Sequence, residues 1–246
     1  SYGVDYFFYM FNYLKYSGTL SNVLSNLEII LLNGSTDVLG LAVHTPRIIR
    51  AVLDYKISNP KLQMENMLTD AISLGLSIYK REDELLPRLI RFREEIDKSK
   101  NKSLLDFPVE QIVDEMSWHA CDPDYSNYTI KHLHNLTYGT PILFLALAHG
   151  GVAPGMDNFL RYCDSFGMDS SFYAVRFSRD KSKDSLPRLN ESEIIYLKEK
   201  AKQTRKVVIF DEDISSGETK TKALNFFKPL FDSCEIFYVA NFPVVQ

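Results

Sequence analysis

The sequence predicts an α/β fold in its C-terminal half, a parallel sheet flanked by helices, preceded by an α-helical half. Three observations predict it. From residue 142 onward, short apolar runs alternate with helix-length stretches, the pattern of strands joined by crossover helices. The first of these runs, Ile142 to Leu147, is continuously apolar and ends in glycines, as a strand buried on both faces does. The first hundred residues show no strand-like alternation. Their apolar residues recur at spacings of three and four.

In the N-terminal half, Leu20, Val23, Leu24, Leu27, Ile30 and Leu31 form one helix face. Gly34 punctuates its end, and Ser35 or Thr36 is placed to cap the next helix. Further helices are expected from Pro46 to Tyr55, broken by Asn59-Pro60, from Leu62 to Tyr79, and from Asp83 to Asp97, the last kinked or started near Pro87. Tyr6 to Tyr16 is aromatic on every face. It reads either as a helix buried on all sides or as a dimer or partner surface, which leaves a homodimer open. The polar, Lys-rich stretch from Lys98 to Ser103 reads either as a linker or as an exposed helix end and turn. Two domains are expected, 1–105 and 106–246.

In the C-terminal half, strands are expected at Ile142–Leu147, Phe172–Phe177, Val207–Phe210 and Cys234–Ala240. Helices are expected at Met156–Phe166, Glu191–Thr204, with Ile194, Ile195, Leu197 and Ala201 inward, and Thr219–Phe231. In such sheets ligands sit at the carboxyl ends of the strands.

Composition narrows the function classes. A formal net charge of −4, from 28 basic and 32 acidic residues among 246, argues against a dedicated nucleic-acid binder. The scattered Cys121, Cys163 and Cys234 argue against a disulfide framework and fit a reducing compartment. Ser1-Tyr2-Gly3-Val4-Asp5 lacks a basic leader region, and Ile142–Ala148 is too short to span a bilayer. The expectation is a soluble cytoplasmic protein with no membrane partner.

The chemistry concentrates in Val207 to Thr219, VVIFDEDISSGET. An apolar strand ends in adjacent acids, Asp211 and Glu212. A loop of small hydroxyl residues and glycine then opens directly into a helix. Tight-turn amides and a helix N-terminus attract phosphate. Ser215, Ser216 and Thr219 add hydroxyl donors, and Gly217 lets backbone approach closely. The acids would be repelled by that phosphate, so they should face ribose hydroxyls or a metal.

This segment resembles the motif that binds 5-phosphoribosyl-1-pyrophosphate (PRPP) in type I phosphoribosyltransferases. The resemblance implies that Asp211 and Glu212 hold the ribose 2- and 3-hydroxyls and serve Mg²⁺, directly or through water. It implies that Ser215, Ser216, Gly217, Glu218 and Thr219 wrap the 5-phosphate. Glu218 departs from the family, which often has a small residue there; its carboxylate must point away.

Ala148-His149-Gly150-Gly151 is similar to the family's pyrophosphate loop, where a non-proline cis peptide falls near Ala148–His149. It implies backbone amides of Gly150 and Gly151 facing the pyrophosphate. His149 stands where Arg or Lys is frequent. Arg176 to Arg188 carries five basic against two acidic residues and lies where the family places a loop that closes over PRPP. The resemblance implies catalytic roles for Arg179 and Lys181 alongside Asp211 and Glu212, and PRPP contacts from Arg176 and Lys183.

The implied reaction transfers a phosphoribosyl group from Mg-PRPP to an unidentified acceptor and releases pyrophosphate. Ser215 replaces the Asp of hypoxanthine-guanine enzymes, and the chain ends soon after Ala240 without their base-stacking segment. The loop is closer to orotate-type and orphan members. The acceptor site is then expected from the helical half or another subunit. Two alternatives keep the fold: a PRPP- or nucleotide-sensing regulator without turnover, and an effector or defence-type enzyme with an unusual acceptor. His119, Cys121, His132 and His134 include metal-ligand types, but their spacing matches no tetrahedral zinc signature, and they read as packing. His44 reads as structural.

Overall fold

A computed structural model describes residues 15–34, 37–111, 122–166, 169–177, 187–214 and 217–242. The chain divides into two compact units, Ser1–Glu115 and Met116–Gln246.

The N-terminal unit contains β1 (Tyr16–Thr19), α1 (Leu20–Leu32), α2 (Val38–Ser58), α3 (Glu65–Lys80), α4 (Leu85–Lys98), a short 3-10 turn (Lys102–Leu104) and β2 (Pro108–Gln111). It is not helical throughout: β1 and β2 pair antiparallel, with Tyr16 opposite Gln111 and Thr19 opposite Pro108. That pairing carries this unit past the expected boundary at 105/106. Lys98 to Ser103 is a helix end and turn inside the unit, and the following Leu104 is fully buried.

The helix expected from Pro46 begins eight residues earlier and runs through that proline. Proline has no N–H for the carbonyl of Ala42, four residues back. The Tyr79 hydroxyl of α3 donates to that carbonyl instead, at 2.9 Å. Its N-cap is Asp37, whose carboxylate accepts from the Gly40 N–H at 2.8 Å, rather than Ser35 or Thr36, which lie outside the described residues.

The C-terminal unit contains α5 (Pro123–Thr137), β3 (Leu143–Ala148), α6 (Val152–Ser165), β4 (Ser171–Arg176), α7 (Glu191–Thr204), β5 (Lys206–Asp213), α8 (Glu218–Leu230) and β6 (Glu235–Phe242). The sheet is four-stranded and parallel, in the order β4-β3-β5-β6. Every residue of β3 is buried, so both faces of the sheet are covered. Phe144 is the aromatic centre, with ring centroids 5.8 Å from Phe172, 5.3 Å from Phe210 and 6.0 Å from Phe159 of α6.

Two sequence expectations are corrected here. Helix α6 starts four residues before Met156. On α7, Ile195 is half-exposed and Glu193 takes the buried place, capping Asn190 N–H at 2.9 Å and accepting from Tyr173 at 2.7 Å. A carboxylate with two donors is more easily buried than its type suggests. Among the described residues, no helix is long and apolar enough to cross a membrane.

The chain leaves β3 for its neighbour β4, then returns across β3 to β5 and continues to β6. The direction of winding therefore reverses between β3 and β5. In open parallel sheets the crevice at the carboxyl ends of such a pair is the ligand position.

Candidate functional site

Two segments meet in that crevice. One is the turn after β3, Ala148 to Gly151. The other is the carboxyl end of β5, Asp211 to Asp213. Ala146 pairs with Phe210, which brings Asp211 and Glu212 level with Leu147 and Ala148. Strand β5 extends three residues beyond its apolar run and takes the acids into the sheet.

The contact between the two segments is direct. A Cβ added at Gly150 would land on the Glu212 carboxyl group, so that side chain is packed directly against the glycine. Gly151 is confined by backbone: a Cβ there would lie 2.6 Å from the Leu147 carbonyl oxygen and 3.1 Å from that of Phe210. The Ala148–His149 peptide is cis, where the resemblance places one. The Gly151 N–H donates to Leu147 O at 2.9 Å, which corrects the expectation that both glycine amides face a ligand. The Gly150 N–H has no acceptor among the described residues.

The acids are held unequally. Asp211 Oδ1 accepts from the Glu212 backbone N–H and Oδ2 from the Tyr238 hydroxyl, both at 3.0 Å. Burial first, then the bond to Asp211 and its charge, hold the Glu212 carboxyl well above the usual carboxylate range. Burial also raises Asp211, against the opposing hydrogen bonds from Glu212 and Tyr238. Glu212 Oε2 is buried with no hydrogen-bond partner among the described residues. Burial and the Asp211 charge push the Tyr238 hydroxyl above its ordinary range, so it remains a donor.

Arg176, at the end of β4, is buried opposite Ala148, and its Nη1 donates to Ala148 O at 3.4 Å. A cation thus lies beside the β3 turn. Gly217, at φ 69°, is the N-cap of α8 with no side-chain cap, a left-handed conformation that favours glycine. Glu218 forms an ion pair with Lys222 one turn on at 2.7 Å, so its carboxylate is engaged along the helix. Thr219 lies in the first turn of α8.

Ala148, His149, Gly150, Gly151, Arg176, Asp211 and Glu212 thus lie at the carboxyl ends of adjacent strands, with Gly217, Glu218 and Thr219 opening the helix after β5. Arg179, Lys181, Lys183, Ser215 and Ser216 lie outside the described residues. Tyr238 was missed. Its strand was legible, but which strand it pairs with, and in what register, was not.

Among the described residues, no group of three or more His, Cys, Asp or Glu side chains is placed to hold a metal ion. Two carboxyls suit Mg²⁺ only in the way that ion is commonly bound, with water and substrate phosphate completing its shell. Glu212 Oε2 provides an oxygen free to face such a cation or a hydroxyl. His132 stacks on Tyr128 and His134 on Phe166, as packing residues do.

No protein-family model, curated protein or solved structure matches the chain.

Proposed function

We propose that the C-terminal unit is a type I phosphoribosyltransferase-like domain. It binds Mg-PRPP and transfers the phosphoribosyl group to a nucleophilic acceptor, releasing pyrophosphate. The observation that carries this reading is the junction at the winding reversal: the Glu212 carboxyl from β5 seated against Gly150 of the β3 turn. It puts a hydroxyl- or cation-binding pair next to a glycine turn with an open amide and a buried arginine.

The ribose hydroxyls would meet the Asp211–Glu212 pair, and the 5-phosphate the segment from Ser215 to Thr219. Gly150 N–H and Arg176 would face the pyrophosphate, with His149 beside them. Bound Mg²⁺ would supply charge neutralisation of the leaving pyrophosphate. Arg179, Lys181 and Lys183 would close over the site. The protein's work is then mostly positioning and electrostatics. A cytoplasmic setting and a homodimer belong to the same reading.

The test is the double variant Asp211→Asn with Glu212→Gln. Each lost charge-assisted hydrogen bond costs about 1.5–3 kcal/mol. Affinity for Mg-PRPP by calorimetry should fall accordingly while the melting curve stays cooperative. Unchanged affinity would remove the acids from the site. A screen of bases and nucleotides with PRPP, read by pyrophosphate release, separates turnover from binding alone.

A further inference from the structure

We propose that Tyr238 is a positioning residue that divides the labour of the acidic pair, clamping Asp211 as a fixed anchor and leaving Glu212 to meet the ligand's ribose hydroxyls. The inference rests on the phosphoribosyl reading above and deepens it, since that reading alone gives both acids the same task.

The sheet register explains the contact. Asp211 pairs with Ala240, so Asp211 and Ala240 project on one face of the sheet. Tyr238 is two residues before Ala240 and shares that face, diagonal to Asp211, at a separation an aromatic side chain spans. Its hydroxyl reaches Asp211 Oδ2 at 3.0 Å, while the Glu212 N–H takes Oδ1 at the same distance. With one donor from β6 and one from its own strand, the Asp211 carboxylate has no freedom to turn. Glu212 is the opposite case. Its Oε2 is buried without a partner among the described residues, and its carboxyl lies over Gly150, facing the turn that would take the pyrophosphate. A buried carboxyl oxygen left without a donor is costly unless a ligand supplies one. Ribose hydroxyls are such donors.

Calorimetric titration with two probes, ribose 5-phosphate and inorganic phosphate, tests this. Tyr238→Phe keeps the ring and its packing and deletes only the donor. It should weaken ribose 5-phosphate by about tenfold or more, the worth of a hydrogen bond to a charged group, and leave inorganic phosphate unchanged. Glu212→Gln should lose more than Asp211→Asn. In an Asp211→Asn background, Tyr238→Phe should have little further effect, because a residue that acts through Asp211 has nothing left to position. Three results overturn the proposal: undiminished ribose 5-phosphate binding in Tyr238→Phe, an equal loss for both probes, or additive losses in the double variant. A parent protein that binds phosphate but not ribose 5-phosphate overturns the phosphoribosyl reading itself, and this inference with it.

Discussion

Each unit buries a charged cluster beside a tyrosine, and the two clusters handle the charge in opposite ways. In the N-terminal unit, Arg47 is almost fully buried. Its Nε donates to Gln111 at 2.8 Å, its Nη1 meets His44 Nδ1 at 2.9 Å, and its guanidinium lies 4.4 Å over the Tyr16 ring. Burial, then the Arg50 charge, lower its pKa to about 10, so it stays ionised at neutral pH. The same surroundings drive His44 to about 4 and keep it a neutral acceptor. In the C-terminal unit, two buried acids are neighbours on one strand, and burial raises the pKa of both. The first arrangement distributes one cation over compatible neighbours and ties β2 to α2. The second sets like groups against each other at a strand end, an arrangement that marks a candidate functional site.

The largest way to break this comparison is to delete the arginine. Arg47→Met keeps the apolar stem but leaves the His44 and Gln111 acceptors without their donor. A buried acceptor that loses its donor costs about 1–3 kcal/mol and the half-buried Gln111 less, so the loss should reach about 2–4 kcal/mol in denaturant unfolding. A loss under about 1 kcal/mol would mean that the cluster is not a structural tie.

His44 gives the next effect. Its folded value of about 4 lies below the unfolded value of about 6.5. Its contribution is therefore present above pH 6.5 and is lost as pH falls toward 4, by roughly 3 kcal/mol. His44→Gln retains an acceptor for Arg47 and cannot take up a proton. The difference in unfolding free energy between the two proteins should change by that amount across the window. A constant difference would show that His44 does not titrate there.

The clusters also differ in how far the sequence disclosed them. Asp211 and Glu212 were legible because a buried strand, two acids and a small-residue turn follow one another in the chain. All four sheet strands were legible for the same local reason. What escaped depends on partners distant in sequence. Pro46 looked like a helix start because nothing local shows that Tyr79 satisfies Ala42. The strands Tyr16–Thr19 and Pro108–Gln111 are four residues each and exist through their mutual pairing. Nothing local to Arg47 shows that Gln111 arrives from β2. Tyr238 reads as an ordinary strand aromatic until the register brings it to Asp211. Helix α5 went unread, although Asp122 and Pro123 are respectable start signals.

The smallest effect has the opposite sign and sharpens the contrast most. Glu212 has a folded value above its unfolded one of about 4.3, chiefly through burial. The folded state thus binds its proton more tightly than the unfolded chain does. That stabilisation is complete below about pH 4.3 and is lost as pH rises through the folded value. Glutamine in its place mimics the protonated acid, and its amide remains in the space beside Gly150. Unlike the acid, it has no proton to lose. Glu212→Gln should therefore raise the melting temperature at pH 8, by less than either loss above. The gain should shrink as pH is lowered toward 5. Relief of the neighbouring Asp211 works in the same direction. The variant would then be more stable than its parent at neutral pH and yet poorer at binding ribose 5-phosphate, the trade expected of a residue kept for function. A stability gain independent of pH would mean that Glu212 does not titrate in that range. A loss at pH 8 would make it a structural residue like Arg47, and the two clusters would no longer differ in kind.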